Sequence, residues 1–170
     1  MEPIEIILVN FLAVLIMMLL GWLVSLIYRN VTHVDSLWGV GFVLIAWLTF
    51  TMAQGFVGRR VLISVLVTLW GLRLSLHLSR RNWGHGEDPR YAAWREKSGE
   101  RFWLVSLIKV FVLQAVFLWV ISVALQWGQL SPIPHRFTAW DVLGLTAVSY
   151  THLTLPTTGS LCRYRWSPYH

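Results

Sequence analysis

Long apolar stretches alternate with short polar ones along this chain, and the alternation predicts helices that cross a membrane. From Ile6 to Tyr28 no residue is charged, which at about 1.5 Å per residue covers a hydrocarbon layer of about 30 Å. Glu2 and Glu5 precede this run where a cleaved signal would carry Lys or Arg, so the span is expected to be retained. A second uncharged run extends from Ser36 to Gly58, opening at Asp35-Ser36 and closing before Arg59-Arg60. The third begins at Val61, carries Arg73 and His77 inside its apolar pattern, and ends at Arg80-Arg81-Asn82.

Trp83 to Arg101 is hydrophilic and punctuated by Gly84, Gly86, Pro89 and Gly99. It reads as a surface connector, with a short interfacial helix around Trp94 to Lys97. Phe102 to Trp127 forms a fourth span, interrupted by Lys109 and Gln114, and Ser131-Pro132-Ile133-Pro134 breaks it off. Trp140 to Ala147 looks like a fifth span beginning. The expected fold is an all-α, polytopic transmembrane bundle of four spans plus the start of a fifth.

Composition agrees: 56% of residues are hydrophobic and 13% charged, with a mean hydropathy of +0.58, against roughly 25% charged residues in soluble domains. The formal charge of +6 would suit nucleic acid, but most basic residues sit between spans, where they set membrane orientation instead. They concentrate after the third span, which predicts a cytoplasmic third loop and an N-terminus outside. The expected partner is the lipid bilayer, not nucleic acid, and no oligomeric state follows. Trp38, Trp83, Trp103, Trp127 and Trp140 fall near span ends, as interfacial anchors do.

At Val148 the chain changes character. Val148 to Thr157 is what the sequencing-library adapter GTC TCT TAT ACA CAT CTG ACG CTG CCG ACG encodes, and Cys162 to His170 matches the opposite adapter end with Tyr164 in place of serine. Residues 148–170 are therefore expected to be translated adapter, with residues 1–147 belonging to a longer native protein. That sets aside Cys162, the single cysteine, and leaves no disulfide or cysteine metal site.

Candidate chemistry is concentrated at the polar ends of the second and third spans. Trp70, Arg73 and His77 recur at helical spacing on one face of the third span. An arginine in a span costs about 2.5 to 3.5 kcal/mol on insertion scales and usually faces a cavity; snorkelling to the headgroups is the alternative. Asp35 reads either as a helix N-cap or as a ligand near that polar face. Gly39 and Gly41 suit close helix packing better than phosphate binding. In the connector, Arg90 and Arg95 offer donors to phosphate, with Glu87 and Asp88 to orient them. Lys109 reads as a snorkelling lysine, and Gln114 as a partner for another helix. No HExxH, CxxC, GxSxG or P-loop pattern occurs, and no metal site is expected.

Taken together, Val34-Asp35-Ser36-Leu37-Trp38-Gly39, Trp70-Gly71-Leu72-Arg73-Leu74, Arg80-Arg81-Asn82 and Glu87-Asp88-Pro89-Arg90-Tyr91 resemble a bacterial membrane family related to the steroid 5-alpha-reductases. The resemblance spans roughly Asp35 to Gln114. It implies a multi-pass protein of the bacterial inner membrane that uses NADPH to reduce a conjugated carbon-carbon double bond in a steroid-like or other hydrophobic lipid substrate. It further implies that Asp35, Trp70, Arg73 and His77 line the substrate or cofactor cavity. Asp35 would be the catalytic hydrogen-bond donor, a role that needs the neutral carboxyl that desolvation favours. Glu87, Asp88, Arg90 and Tyr91 would form the cofactor-binding mouth. Most of the cofactor pocket in such enzymes is expected around an Arg-His-Pro-Asn-Tyr type motif, which this chain does not contain. Two other readings remain open: a lipid or isoprenylcysteine-type methyltransferase on a similar scaffold, and a non-catalytic lipid-binding membrane module.

Overall fold

The computed structural model describes residues 2–82 and 87–148, all helix and connecting turns. The loop residues Trp83, Gly84, His85 and Gly86, and residues 149–170 of the segment expected to be foreign, lie outside the described residues. The chain divides into two units, Met1–Ile133 and Pro134–His170. In the first, α1 runs Pro3–Tyr28, α2 His33–Met52, α3 Val57–Asn82 and α4 Pro89–Ser98. A 3-10 turn, Gly99–Arg101, then leads into α5 (Phe102–Ser106), a π-helical stretch (Leu107–Val112) and α6 (Leu113–Leu130), which together form the fourth span. The second unit contains α7, Ala139–Val148, capped where the backbone N–H and hydroxyl of Thr138 both donate to Asp141 Oδ2 at 2.8 Å.

Four helices are long and apolar enough to cross a membrane. Their inner stripes mix large apolar residues with small and polar ones, and their outer faces are aliphatic, unlike the polar outer faces of a soluble bundle. In α1 the buried residues include Ile6, Asn10, Val14 and Met18, spaced four apart, while Leu8, Leu12, Ile16, Leu20 and Ile27 are exposed. In α6 the buried set is Ala115, Leu118, Ser122, Gln126 and Gln129. Aliphatic faces of this size would be a liability in water; against lipid tails they lose nothing, and small residues set the helix contacts.

The α2–α3 seam follows that rule. Ser64, Thr68, Gly71, Ser75 and Ser79 form one stripe of α3 and meet Ser36, Gly39, Ala46 and Trp47 of α2. A Cβ at Gly39 would overlap the Gly71 carbonyl oxygen and crowd the Ser75 hydroxyl. Ser75 donates to Ser36 O at 2.8 Å, Ser79 Oγ to Ser36 Oγ at 3.0 Å, and Trp47 Nε1 to Thr68 Oγ1 at 3.0 Å. Gly41 approaches Leu118 of α6, so both glycines serve close packing. Helix α2 touches α1, α3 and α6 and is the most deeply buried of the four spans.

Two span limits and one anchor residue differ from the expected ones. Helix α2 starts at His33 after an N-cap at Thr32, which puts Asp35 in the first turn and not at the cap. Trp38 turns inward: its Nε1 donates to Gln114 Oε1 at 2.6 Å and its ring packs 6.2 Å from Phe42, so it is no interfacial anchor. At the other end, the turn around Gly55 is fixed because a Cβ there would overlap the Gln129 carbonyl oxygen. Arg59 and Arg60 consequently fall inside α3, where Arg60 donates to the Phe50 carbonyl and lies 4.8 Å over the Phe50 ring.

Candidate functional site

The α1–α2 turn and the start of α4 meet at one end of the bundle, and backbone demands bring them together. Helix α1 stops at Arg29, which takes the left-handed conformation at φ 50° and lets Asn30 N–H return to Ser25 O at 3.2 Å. The next amide groups have no helical partner and must find others. Thr32 N–H donates to Asn30 Oδ1 at 2.9 Å, and Val31 N–H donates to Glu87 Oε1 at 3.1 Å. In return Thr32 Oγ1 accepts the Asp88 N–H at 2.9 Å. The acidic pair of the connector thus ties the α1–α2 turn to the foot of α4.

Arg95 completes the clasp. Its Nε donates to Glu87 Oε2 at 2.8 Å and its Nη2 to Glu87 Oε1 at 2.7 Å, a two-pronged ion pair, the geometry that suits guanidinium and carboxylate. The same Nη2 reaches Arg29 O at 3.2 Å, and the guanidinium lies 4.1 Å over the Phe102 ring. Partial burial works to raise the Glu87 carboxyl, but the hydrogen bonds from Arg95 and Val31 and the Arg95 charge outweigh it. Glu87 therefore sits below the usual carboxylate range.

Just inside the clasp, Tyr91 is buried and belongs to the apolar core with Val31, Val34 and Phe102. Its hydroxyl approaches Asp35 Oδ1 at 3.5 Å, which places a phenol and a carboxyl group side by side near the start of α2. Tyr91 is turned to this position because α4 begins against Thr32: its backbone N–H bonds Asp88 O at 2.9 Å. Deeper along the bundle, Trp38, Phe42 and Trp70 form an aromatic row, with Phe42 and Trp70 edge to face at 5.4 Å.

The expected site residues therefore occupy three settings. Asp35 and Tyr91 are brought together, with Glu87 and Asp88 holding the turn beside them. Trp70 joins the aromatic row. Arg73 is half-buried and His77 exposed, two residues beyond Gly71 and Ser75 respectively, which puts both about 200° around α3 from the seam with α2. Arg90 lies in the first turn of α4, its side chain outside the described residues.

Sequence reasoning missed a polar system within the spans. Asn10 Nδ2 donates to Thr49 Oγ1 and to Gln126 Oε1, each at 2.8 Å, and Gln126 Nε2 donates to Ser122 Oγ at 3.0 Å. Gln129 Nε2 donates to Ala46 O at 3.2 Å. The available signal was the stripe Ser122, Gln126, Gln129 on one face of an otherwise apolar helix, with Asn10 the lone amide in the first span.

No curated protein and no solved structure matches the chain significantly. A family model for proteins of unknown function, DUF1295, matches residues 21–160. That interval takes in the clasp, the Asp35–Tyr91 pair and all of α2 and α3, and on this match the chain belongs to the DUF1295 family of membrane-helical proteins.

Proposed function

We propose that this DUF1295 domain belongs to an enzyme that reduces a conjugated carbon-carbon double bond in a steroid-like or other lipid with NADPH. The observation that carries the reading is the approach of the Tyr91 hydroxyl to Asp35 Oδ1 at 3.5 Å, next to the aromatic row and the start of a membrane-crossing helix. A lipid carbonyl at this level meets the Asp35 carboxyl group, with the Tyr91 hydroxyl behind it. As the conjugated bond is reduced, negative charge collects on that carbonyl oxygen, and a preset donor stabilises it. Asp35 in its neutral form supplies the donor, and Tyr91 orients the carboxyl by donating to its other oxygen.

NADPH enters from the resemblance. The described side chains of the loop do not by themselves fit its phosphates: Glu87 and Asp88 are carboxylates, Glu87 is occupied by Arg95, and Tyr91 turns inward. Their part in the proposal is to shape the cavity mouth. Trp70, edge to face with Phe42, is proposed to line the wall of the cavity along α3; Arg73 and His77 lie about 200° around the helix from the α2 seam and take no part in it.

The test uses a longer family member that keeps these residues, reconstituted in nanodiscs with an enone lipid. Asp35→Asn and Tyr91→Phe are expected to lower kcat of NADPH oxidation by about 100-fold, with KM for NADPH and membrane insertion unchanged. If the wild type consumes no NADPH with any enone lipid and instead transfers a methyl group from S-adenosylmethionine, the methyltransferase reading replaces this one. If it does neither yet retains lipid, the domain is a non-catalytic lipid-binding module.

A further inference from the structure

A cleft of about 350 Å³ opens between the end of α1 and the connection from α4 to α5. It includes neither Asp35 nor Tyr91, so it is separate from the proposed reaction site. Three features of its wall define what it can hold. The charged side chains lining it are Arg29, Arg95 and Glu100, and Arg95 is already neutralised by Glu87. Among the described residues of the wall, one cation and one carboxylate therefore remain. Aromatic surface comes from Phe102 and Trp103, and an apolar edge from Leu26.

The level of the cleft supplies the second argument. Tyr28 ends the first span and Phe102 begins the membrane-crossing part of the fourth, so the cleft lies where a bilayer places its headgroups. Trp22 Nε1 donates to Trp103 O at 3.2 Å and the two rings lie 6.5 Å apart, closing its membrane side with a tryptophan pair of the kind found at interfaces. Leu26 and Trp103, on the cleft wall itself, are 40% and 51% exposed, which puts apolar surface for an acyl chain beside the polar wall.

We infer that this cleft binds the headgroup of a zwitterionic, amine-bearing phospholipid. Arg29 meets the phosphate. Glu100 meets the ammonium, which also gains from the face of Trp103, while the acyl chains run down past Leu26. An anionic headgroup without an amine brings its phosphate to Arg29 but leaves Glu100 as a repulsive neighbour. The site depends only on the first unit and stands whichever reaction the domain performs.

The experiment is native mass spectrometry of the full chain released from vesicles of equal phosphatidylethanolamine and phosphatidylglycerol. The wild type is expected to retain phosphatidylethanolamine preferentially. Arg29→Gln should lower that retention about tenfold, the worth of one charge-assisted hydrogen bond. Glu100→Gln should reverse the preference toward phosphatidylglycerol, and Lys97→Gln, on the same basic segment but outside the cleft, should change nothing. The inference is overturned if phosphatidylglycerol is retained as well as phosphatidylethanolamine by the wild type, or if Lys97→Gln acts as strongly as Arg29→Gln. Glu100 lies on an exposed turn, so its variant decides the matter even if Arg29→Gln fails to fold.

Discussion

Two polar systems join the helices of the first unit, and they use different chemistry. Asn10, Thr49, Ser122 and Gln126 link α1, α2 and α6 through neutral amides and hydroxyls, all fully buried. The clasp at the α1–α2 turn uses a carboxylate and a guanidinium, the latter 37% exposed. The difference teaches where ions are tolerated. A charge deep among apolar helices carries several kcal/mol of desolvation, so the interior is joined by groups that need no counterion. The clasp keeps its charges at an end of the bundle where water can share the load.

The seam between α2 and α3 is where the bundle should break first. Gly39→Ala places a methyl group into the Gly71 carbonyl and is expected to destabilise the protein by about 3 kcal/mol, an overpacking effect, measured by unfolding in mixed micelles. Gly99, with open space around its Cβ position but φ 50°, should lose only about 1 kcal/mol or less on the same change.

Opening the clasp comes next. Glu87→Gln should reduce stability by about 1 to 2 kcal/mol, moderated by the partial exposure of Arg95. Because the Glu87 carboxyl is lowered in the folded protein, its contribution is present at neutral pH and is lost as the pH falls below the usual carboxylate range and through the lowered value. The Tm of the wild type should therefore fall with acidification more steeply than that of Glu87→Gln; parallel curves would show that the ion pair does not couple to folding.

The amide network should respond less. Asn10→Leu removes the bonds to Thr49 and Gln126 and is expected to cost about 1 kcal/mol, the range measured for hydrogen bonds between membrane helices. Combining it with Gln126→Leu should be less than additive, since both variants remove one shared bond. The smallest effect is expected for Lys109→Leu: the side chain is exposed on the π-helical stretch, and the change in stability should stay within about 0.5 kcal/mol.

Much of this architecture could be read from the residues. Four spans, the short helix in the connector, and the packing role of Gly39 all follow from period, length and the small size of the side chains. Gln114 was recognisable as a partner for another helix and meets Trp38. The start of α2 was not recognisable, because Asp35-Ser36 is as good a start signal as Thr32, and only the Asp88 amide arriving on the Thr32 hydroxyl favours the earlier one. The Arg95–Glu87 pair was half legible: the sequence proposes that acids orient arginines, but not that the pair closes on the Val31 and Arg29 backbone.

By itself the sequence determined that this is a membrane-helical chain and where its helices run, because the penalty for exposing polar groups to hydrocarbon is local and large enough to be written into composition. Which side chains meet was decided by tertiary structure alone. The Asp35–Tyr91 approach, the clasp and the amide network each join residues at least eight positions apart. Their meeting depends on how closely the helices approach, and that is set by a few glycines and serines at the seams.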